Sequence, residues 1–194
     1  MMKYKIIGVL MVLAFAKAET LKSQNIKIER ESRIEYSEFP QQAAPWISVL
    51  SQDCDNKKFY KETDGEKTSY ELKCKCGGRS RSIEFSEYGA LEDVEITIKK
   101  RKIEQNTRKK INSTLDSIAR KNRIEKVQLQ FLPSSNNPAD IARNIELKKL
   151  DNYELIVAFK EKRKIYRKEL LFDRDGNLLT SRDIKRLEYD FLLF

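Results

Sequence analysis

Apolar and polar residues alternate along most of this chain, and one order of residues occurs twice. The shared order is Tyr-Glu-Leu, a polar hairpin, Phe, and then Gly and Leu. It starts at Tyr70 and again at Tyr153, and the matching positions are 83 to 87 residues apart. Because self-similarity at a fixed spacing is typical of repeated structural units, the pattern predicts a tandem of two similar modules.

The alternation predicts strands and the apolar spacing predicts two helices. Helical spacing is found over Pro40–Ser51 and Glu104–Lys121, and Asn25 to Arg30 reads as an edge strand. Pro133–Asn144 is a loop with room for a short helix from Pro138. Strands are predicted near 57–63, 68–76, 80–87 and 91–98, and then near 124–132, 145–150, 153–161, 164–173 and 178–184.

Alternate residues of a strand point to opposite faces of a sheet, so each predicted strand has an apolar and a charged face. The apolar faces, expected to pack on the two helices, are Tyr70, Leu72, Cys74 and Cys76, and Tyr153, Leu155, Val157 and Phe159. The opposite faces carry Glu71, Lys73 and Lys75, and Glu154 and Lys160. A sheet covered on one side leaves such a face in water. We expect binding to occur on this broad open face rather than in a pocket.

The N-terminal sequence predicts export. Lys3 and Lys5 precede the apolar stretch Ile6 to Phe15, and Ala16-Lys17-Ala18 fits a small-x-small cleavage site. A buried N-terminal helix is the less favoured alternative. We therefore expect a signal peptide at 1–18, a first module at 19–100 and a second at 101–194, in a periplasmic or secreted protein.

The chain has a net charge of +9, and its basic residues are concentrated in two short runs. An exported chain rarely meets nucleic acid, so no nucleic-acid partner is expected. Weak contact with an anionic membrane surface or an acidic protein is more plausible. The candidate basic patch consists of Lys99, Lys100, Arg101, Lys102, Arg108, Lys109 and Lys110.

Cysteines occur only at Cys54, Cys74 and Cys76. A disulfide is expected in an oxidising compartment. Because Cys74 and Cys76 are too close in sequence for an unstrained bridge, we expect Cys54 to pair with Cys74 or with Cys76. A zinc site at the three thiolates would need a carboxylate as a fourth ligand and is not favoured.

The chain contains no histidine, which excludes Ser-His-Asp and Cys-His catalysis and histidine-dependent metal sites. An enzyme that uses a Ser-Lys or carboxylate-pair site remains an alternative to a non-catalytic role. Asp173 to Asn177 reads as a hairpin turn, because its glycine is at position four and a calcium-binding EF-hand loop needs one at position six. We expect no catalytic residue, cofactor or metal.

Several segments together resemble the PepSY-like proteins of Gram-negative cell envelopes, also described as beta-lactamase-inhibitor-like. They are Glu35-Tyr36-Ser37-Glu38-Phe39-Pro40, Tyr70-Glu71-Leu72, Glu84-Phe85 with Gly89, and the stretch from Tyr153-Glu154-Leu155 to Phe172-Asp173-Arg174-Asp175-Gly176-Asn177-Leu178. The chain departs from the pattern at Cys74-Lys75-Cys76, in the Pro133–Asn144 insertion and in the apolar tail Leu187 to Phe194.

The resemblance implies an α+β fold of two modules, each a helix packed on an antiparallel β-sheet. It also implies an exported protein without catalytic residues, related to modules that bind or inhibit other proteins. We therefore expect a non-catalytic protein-binding role, with inhibition as one form, in the periplasm or cell envelope. The alternative is a binder of anionic envelope lipid or polysaccharide that uses the basic patch.

Overall fold

A computed structural model describes residues 26–184, and its main element is a single ten-stranded sheet. The predicted signal peptide 1–18 and the tail Leu187 to Phe194 lie outside the described residues. The strands are β1 (Ile26–Lys27), β2 (Glu29–Ile34), β3 (Cys54–Asp64), β4 (Lys67–Cys76), β5 (Arg79–Ser86), β6 (Leu91–Thr97), β7 (Asn122–Phe131), β8 (Asn152–Glu161), β9 (Lys164–Asp173) and β10 (Leu178–Ile184). From β2 to β10 each strand pairs antiparallel with the next strand along the chain.

The N-terminal segment, expected to form one edge strand, supplies the strands at both ends of the sheet. β2 pairs antiparallel with β3, and β1 pairs parallel with β10 through Ile26 opposite Asp183 and Lys27 opposite Ile184. Only Ile28 separates β1 from β2. The sheet is therefore nearly closed on itself.

The expected α+β fold of two modules, each with a helix on its own sheet, is wrong. Within residues 26–184 the fold is mostly β, with three short α-helices: α1 (Ala44–Leu50), α2 (Gln105–Ile118) and α3 (Pro138–Glu146). β6 pairs directly with β7, from Val94 opposite Phe131 to Thr97 opposite Gln128, so one sheet crosses the expected module boundary. The boundaries 19–100 and 101–194 stay predictions.

The helices differ slightly from the sequence expectation. α1 follows a 3-10 turn at Gln41–Ala43, and a carboxylate oxygen of Glu104 accepts hydrogen bonds from the first turn of α2. The short helix from Pro138 is present as α3. The strand predicted at 145–150 is wrong, because α3 continues to Glu146 and a turn follows. Within the described residues no helix has the length and apolar character needed to cross a bilayer.

One face of the sheet, which we call the outer face, packs on the helices and forms the core. One cluster joins α1 and α3 to β4, β5 and β6, and a second joins α2 to β7, β8 and β9. Leu72, Ile83 and Phe85 are fully buried in the first cluster, and Leu155 and Phe159 in the second. Burial of each such side chain contributes roughly 1.5–3 kcal/mol to folding.

The glycines of the repeated order occupy turns that contact helical segments. Gly89 has a φ of 81° and Gly176 a φ of 86°, a conformation that other residues rarely adopt. A Cβ atom on Gly89 would lie 2.9 Å from Pro40 Cβ, before α1. One on Gly176 would lie 2.9 Å from the carbonyl oxygen of Thr107 in the first turn of α2. Both positions therefore require glycine for conformation and for space.

Candidate functional site

The face of the sheet opposite the core lines a cavity of about 920 Å³. We call this lining the inner face. Although the chain has a net positive charge, ten acidic and six basic side chains surround the cavity. The acids are Glu29, Glu31, Glu62, Glu71, Glu84, Glu92, Asp93, Glu95, Glu154 and Glu169, and the bases are Lys27, Arg30, Lys67, Lys73, Lys126 and Arg182.

Sequence alternation located part of this face. Glu71, Lys73 and Glu154 line the cavity, whereas Lys75 and Lys160 are exposed and do not. The expectation of a broad open surface rather than a pocket is corrected, because the sheet curves until it nearly closes. Register shifts in the pairing of β5 with β6 and of β7 with β8 mark bulges, which bend and twist strands.

The paired triad consists of Glu31, Glu62 and Glu71, whose closest carboxylate oxygens lie within 4.8 Å of one another. Lys73 lies beside it. Its Nζ is 2.7 Å from Glu31 Oε1, 2.9 Å from Glu71 Oε2 and 4.0 Å from Glu62 Oε1. The Ser82 hydroxyl donates a hydrogen bond to Glu71. A cation of the chain itself therefore pairs with two acids of this cluster.

The pKa values in the paired triad separate the roles of its acids. Burial and a hydrogen bond to Glu71 raise the pKa of Glu62 to about 12, so Glu62 is protonated and donates. Burial opposes ionisation of Glu71, but the hydrogen bond with Glu62 and the charge of Lys73 outweigh it and lower the pKa of Glu71. Glu71 is therefore ionised and, together with Glu31, holds Lys73.

The unpaired triad consists of Glu84, Asp93 and Glu95, and its closest carboxylate oxygens also lie within 4.8 Å of one another. Glu84 of β5 lies directly opposite Asp93 of β6, an arrangement of like charges that destabilises a sheet. None of the three acids forms an ion pair with a lysine or arginine of residues 26–184. Lys126 lines the same cavity without pairing with them.

Neighbouring side chains satisfy only some of the oxygens in the unpaired triad. Gln128 Nε2 donates to Glu95 Oε2, and Gln130 Nε2 donates to Asp93 Oδ2 over 2.8 Å. Asp93 Oδ1 and Gln128 Oε1 are buried without a hydrogen-bond partner in the described part of the chain. The side-chain oxygens of this region outnumber the available donors.

Burial and mutual repulsion raise the pKa of every acid in the unpaired triad. Burial, followed by the charge of Asp93, raises the pKa of Glu84 well above its usual range. Burial and the nearby Glu154 do the same for Glu95. Burial raises the pKa of Asp93 to about 6. The adjacent Glu154, on β8, has its pKa raised to about 7 by burial and by the charge of Glu169.

The candidate basic patch lies on the other side of the sheet, where α2 begins. Lys100, Arg101 and Lys102 form a 3-10 turn, and Arg108, Lys109 and Lys110 belong to the first half of α2. All are exposed except Arg108, which is half-buried and donates to the carbonyl oxygen of Arg101 over 3.3 Å. With Lys99, these seven residues are close together in sequence, and none of them lines the cavity.

The three cysteines lie together where β3 meets β4. Cys54 and Cys76 form a disulfide, one of the two pairings that the sequence left open, and Cys74 is a buried free thiol. Cys74 Sγ lies 3.7 Å from Cys76 Sγ. Burial raises the pKa of Cys74, so this thiol is not poised as a nucleophile.

No family model matches the chain, and no curated protein sequence matches it. Solved structures do resemble it. A DUF2874 family protein from Bacteroides ovatus has a TM-score of 0.54 at 10% identity, and the match covers 80% of this chain and 94% of that chain. A protein from Bacteroides eggerthii, described as periplasmic, has a TM-score of 0.51 at 8% identity and covers 74% and 88%. A BLIP-like protein from Bacteroides fragilis has a TM-score of 0.49 at 15% identity and covers 78% and 91%.

At such low identity these likenesses concern the fold. The chain shares its fold with the DUF2874 protein, and a BLIP-like protein is among the similar structures. The PepSY-like part of the expected resemblance and the tandem repeat stay predictions. The predicted export to the periplasm agrees with the description of the Bacteroides eggerthii protein.

Proposed function

We propose that this chain is an exported, non-catalytic protein-binding protein whose inner face receives a positively charged segment of another envelope protein. One observation carries the proposal: in a chain of net charge +9, the cavity is surrounded by ten acids and six bases. A positively charged group that enters the cavity would favour the ionised form of these acids, whereas the basic surface outside repels it.

The energetics of burial support a cationic occupant. Removing a carboxylate from water costs several kcal/mol unless the carboxylate is paired or protonated. Glu84, Glu95 and Glu154 lie in the middle of the inner face, and none of them pairs with a lysine or arginine among residues 26–184. A lysine or arginine side chain of a partner would supply the missing charge and relieve this cost. Binding that occupies a partner's basic site would also inhibit any activity that depends on that site.

Binding of simple peptides tests the sign and the location of the interaction. We expect isothermal titration calorimetry to detect binding of a hexalysine peptide and not of a hexaglutamate peptide. At about pH 8, where Glu154 with its pKa of about 7 is ionised, Glu154→Gln should weaken hexalysine binding about tenfold, because it removes one buried charge of the inner face. Glu66→Gln is the matched control, since Glu66 is exposed at a hairpin turn and does not line the cavity.

The proposal fails if hexaglutamate binds as tightly as hexalysine, or if Glu154→Gln and Glu66→Gln have equal effects. Affinity capture from envelope extract with the same baits extends the test to natural partners. A partner that uses the inner face should be recovered in a stoichiometric amount by the wild type and by Glu66→Gln, and less by Glu154→Gln.

A second candidate function is binding of anionic envelope lipid or polysaccharide through the basic patch. It is favoured by the contiguity of the patch, whose seven side chains form no ion pair within the described residues. Exposed charges of this kind attract anionic surfaces, and salt screens the attraction.

Flotation with anionic liposomes separates this function from the first. Lipid binding through the patch should be lost in about 0.5 M salt and reduced by replacing Lys100, Arg101 and Lys102 with glutamine. The matched control replaces Lys162, Arg163 and Lys164, which are exposed in another hairpin. Equal flotation of the two triple variants would exclude the patch as the lipid site.

A further inference from the structure

The sulfur atoms of the three cysteines form a compact group away from the inner face. The Sγ atoms of Cys54, Cys74 and Cys76 lie within 4.8 Å of one another. Cys54 is the first residue of β3 and lies opposite Cys76, the last residue of β4. Cys74 precedes Cys76 by two residues on the same strand, so both side chains point to one face of the sheet. None of the three residues lines the cavity, so this group is independent of the acids described above.

The disulfide uses two of the three sulfurs, and Cys74 is left as a free thiol. An unpaired cysteine in a chain that is expected to be exported indicates pairing with another molecule or a reactive thiol. Cys74 is 4% exposed, which keeps other chains away from it, and burial also raises its pKa. A metal ion can still use such a thiol, because it deprotonates the thiol that it binds. A buried cysteine can equally be a packing residue, and a second observation is needed to distinguish the two.

That observation is the guanidinium of Arg81. Arg81 lies on β5 directly opposite Cys74, and its Nη1 is 3.9 Å from Cys54 Sγ. Its Nε is buried and has no acceptor among the described residues. A buried donor without an acceptor costs roughly 1–3 kcal/mol, and more when it belongs to a charged group. A guanidinium at this place suits a form of the site in which the sulfurs are thiolates, since a neighbouring arginine stabilises the thiolate.

We propose that Cys54, Cys74 and Cys76 bind one Cu(I) ion through three thiolates when the disulfide is reduced. Sulfur ligands select soft ions, among them Cu(I) and zinc. Structural zinc takes four ligands, and no aspartate or glutamate of residues 26–184 joins this group. If each metal–sulfur distance is about 2.3 Å, the sulfurs of a planar three-ligand site are about 4 Å apart. The sulfurs of Cys74 and Cys76 are already 3.7 Å apart.

The disulfide and the metal-bound form are related by a balanced reaction. A dithiol reductant gives two electrons and two protons to the bond between Cys54 and Cys76, and it becomes a disulfide itself. Cu(I) then replaces the protons of the three thiols, and these protons pass to water. The ion with its three thiolates keeps a net negative charge, which the Arg81 guanidinium partly offsets. While the disulfide is intact only one thiol is available, so the oxidised form does not hold the ion.

Reduction should leave the fold in place. Cys54 and Cys76 are the terminal pair of the β3–β4 ladder, and pairing continues as far as Asp64 opposite Lys67. Each strand also pairs on its other side, β3 with β2 and β4 with β5. Circular dichroism of the reduced chain verifies this. A reduced chain without its β-structure overturns the proposal, because nothing would then hold the three sulfurs together.

Competition with the Cu(I) chelator bathocuproine disulfonate tests the site in the 19–194 chain, kept free of oxygen. The reduced chain should bind one Cu(I) ion, and the disulfide form should bind it at least about a hundredfold more weakly. Reduced Cys74→Ser should also lose at least about a hundredfold, because loss of a ligand exceeds the roughly 10–100-fold effect of losing an outer partner. This variant retains the disulfide when oxidised, and an unchanged Tm in that form verifies that it folds.

A pair of arginine variants tests the second observation. Arg81→Gln should weaken Cu(I) binding about tenfold, as expected for a partner outside the ligand set. Arg79→Gln is the matched control, since Arg79 is exposed on the same strand. Equal Cu(I) binding by the reduced wild type and reduced Cys74→Ser overturns the proposal, and so does equal binding by the reduced and disulfide forms. Equal effects of the two arginine variants would overturn the role given to Arg81.

Discussion

The two carboxylate triads of the inner face have similar spacing and opposite surroundings. The paired triad has Lys73 within 2.9 Å of two of its acids. The unpaired triad lies one strand further along the sheet, with Glu71 opposite Glu84 and Glu84 opposite Asp93, and it has no such partner among the described residues. The first triad is an internally compensated part of the fold, whereas the second still needs a proton or a basic side chain.

The difference shows which acids of a charged face are candidates for function. An acid that pairs with its own chain has little interaction energy left for a ligand. An acid that is buried without a partner lowers the stability of the unliganded fold, and the ligand that relieves this cost binds more tightly. Apolar burial on the outer face offsets this loss of stability, since Leu72, Ile83 and Phe85 in its core are fully buried.

Removing the lysine should make the paired triad resemble the unpaired one. Lys73→Met leaves Glu31 and Glu71 without a cation, and we expect the free energy of unfolding to fall by about 2 kcal/mol. This loss is smaller than that for a fully buried pair, because Lys73 is partly exposed. Urea denaturation measures it. Lys67→Met is the control, because the pair of Lys67 with Glu92 is more exposed and should contribute less than about 1 kcal/mol. Equal losses in the two variants would contradict the comparison.

One type of substitution should have opposite effects in the two triads. Glu84→Gln removes the carboxyl group opposite Asp93, and at a pH high enough to ionise that group it should stabilise the protein by up to about 1 kcal/mol. Glu71→Gln removes the carboxylate that holds Lys73 and accepts from Ser82, so it should destabilise the protein. Urea denaturation of both variants in one buffer measures the two signs. A loss of stability in Glu84→Gln would show that the acid is compensated after all.

Asp93 of the unpaired triad and Glu71 of the paired triad should contribute opposite slopes to the dependence of stability on pH. The pKa of Asp93 is raised from 3.8 to about 6, so its contribution is fully present below the lower value and is lost as pH rises through the higher one. The pKa of Glu71 is lowered from 4.5, so its contribution is present above that value and is lost as pH falls. Asp93→Asn should flatten the decline between about pH 4 and pH 6. Unfolding curves across a pH series test this, and an unchanged decline would contradict the shift.

Local patterns predicted the strands, the hairpin turns and the separation of apolar from charged faces. Alternation assigned Leu72 and Leu155 to the core and Glu71 and Glu154 to the other face, because side-chain direction follows directly from strand period. Helical spacing located α1 and α2, although it extended both by a few residues.

The closure of the sheet and the composition of the site could not be predicted in this way. The parallel pairing of β1 with β10 joins residues more than 150 apart in sequence, such as Ile26 and Asp183. The unpaired triad depends on the register of β5 against β6, which a bulge shifts after Glu84. Gln128 reaches Glu95 only because β6 and β7 pair across the expected module boundary. A signal was present in the run Glu92, Asp93 and Glu95, whose acids interrupt an otherwise apolar strand.

Methyl NMR tests the central claim, which is that the inner face is the surface that binds a positively charged group. Ile156 lines the cavity, whereas Ile111 is fully buried in the second core cluster beneath the outer face. On addition of a hexalysine peptide to protein labelled at isoleucine methyl groups, the account predicts a saturable shift of the Ile156 signal and an unchanged Ile111 signal. An unchanged Ile156 signal under conditions where the peptide binds would contradict it.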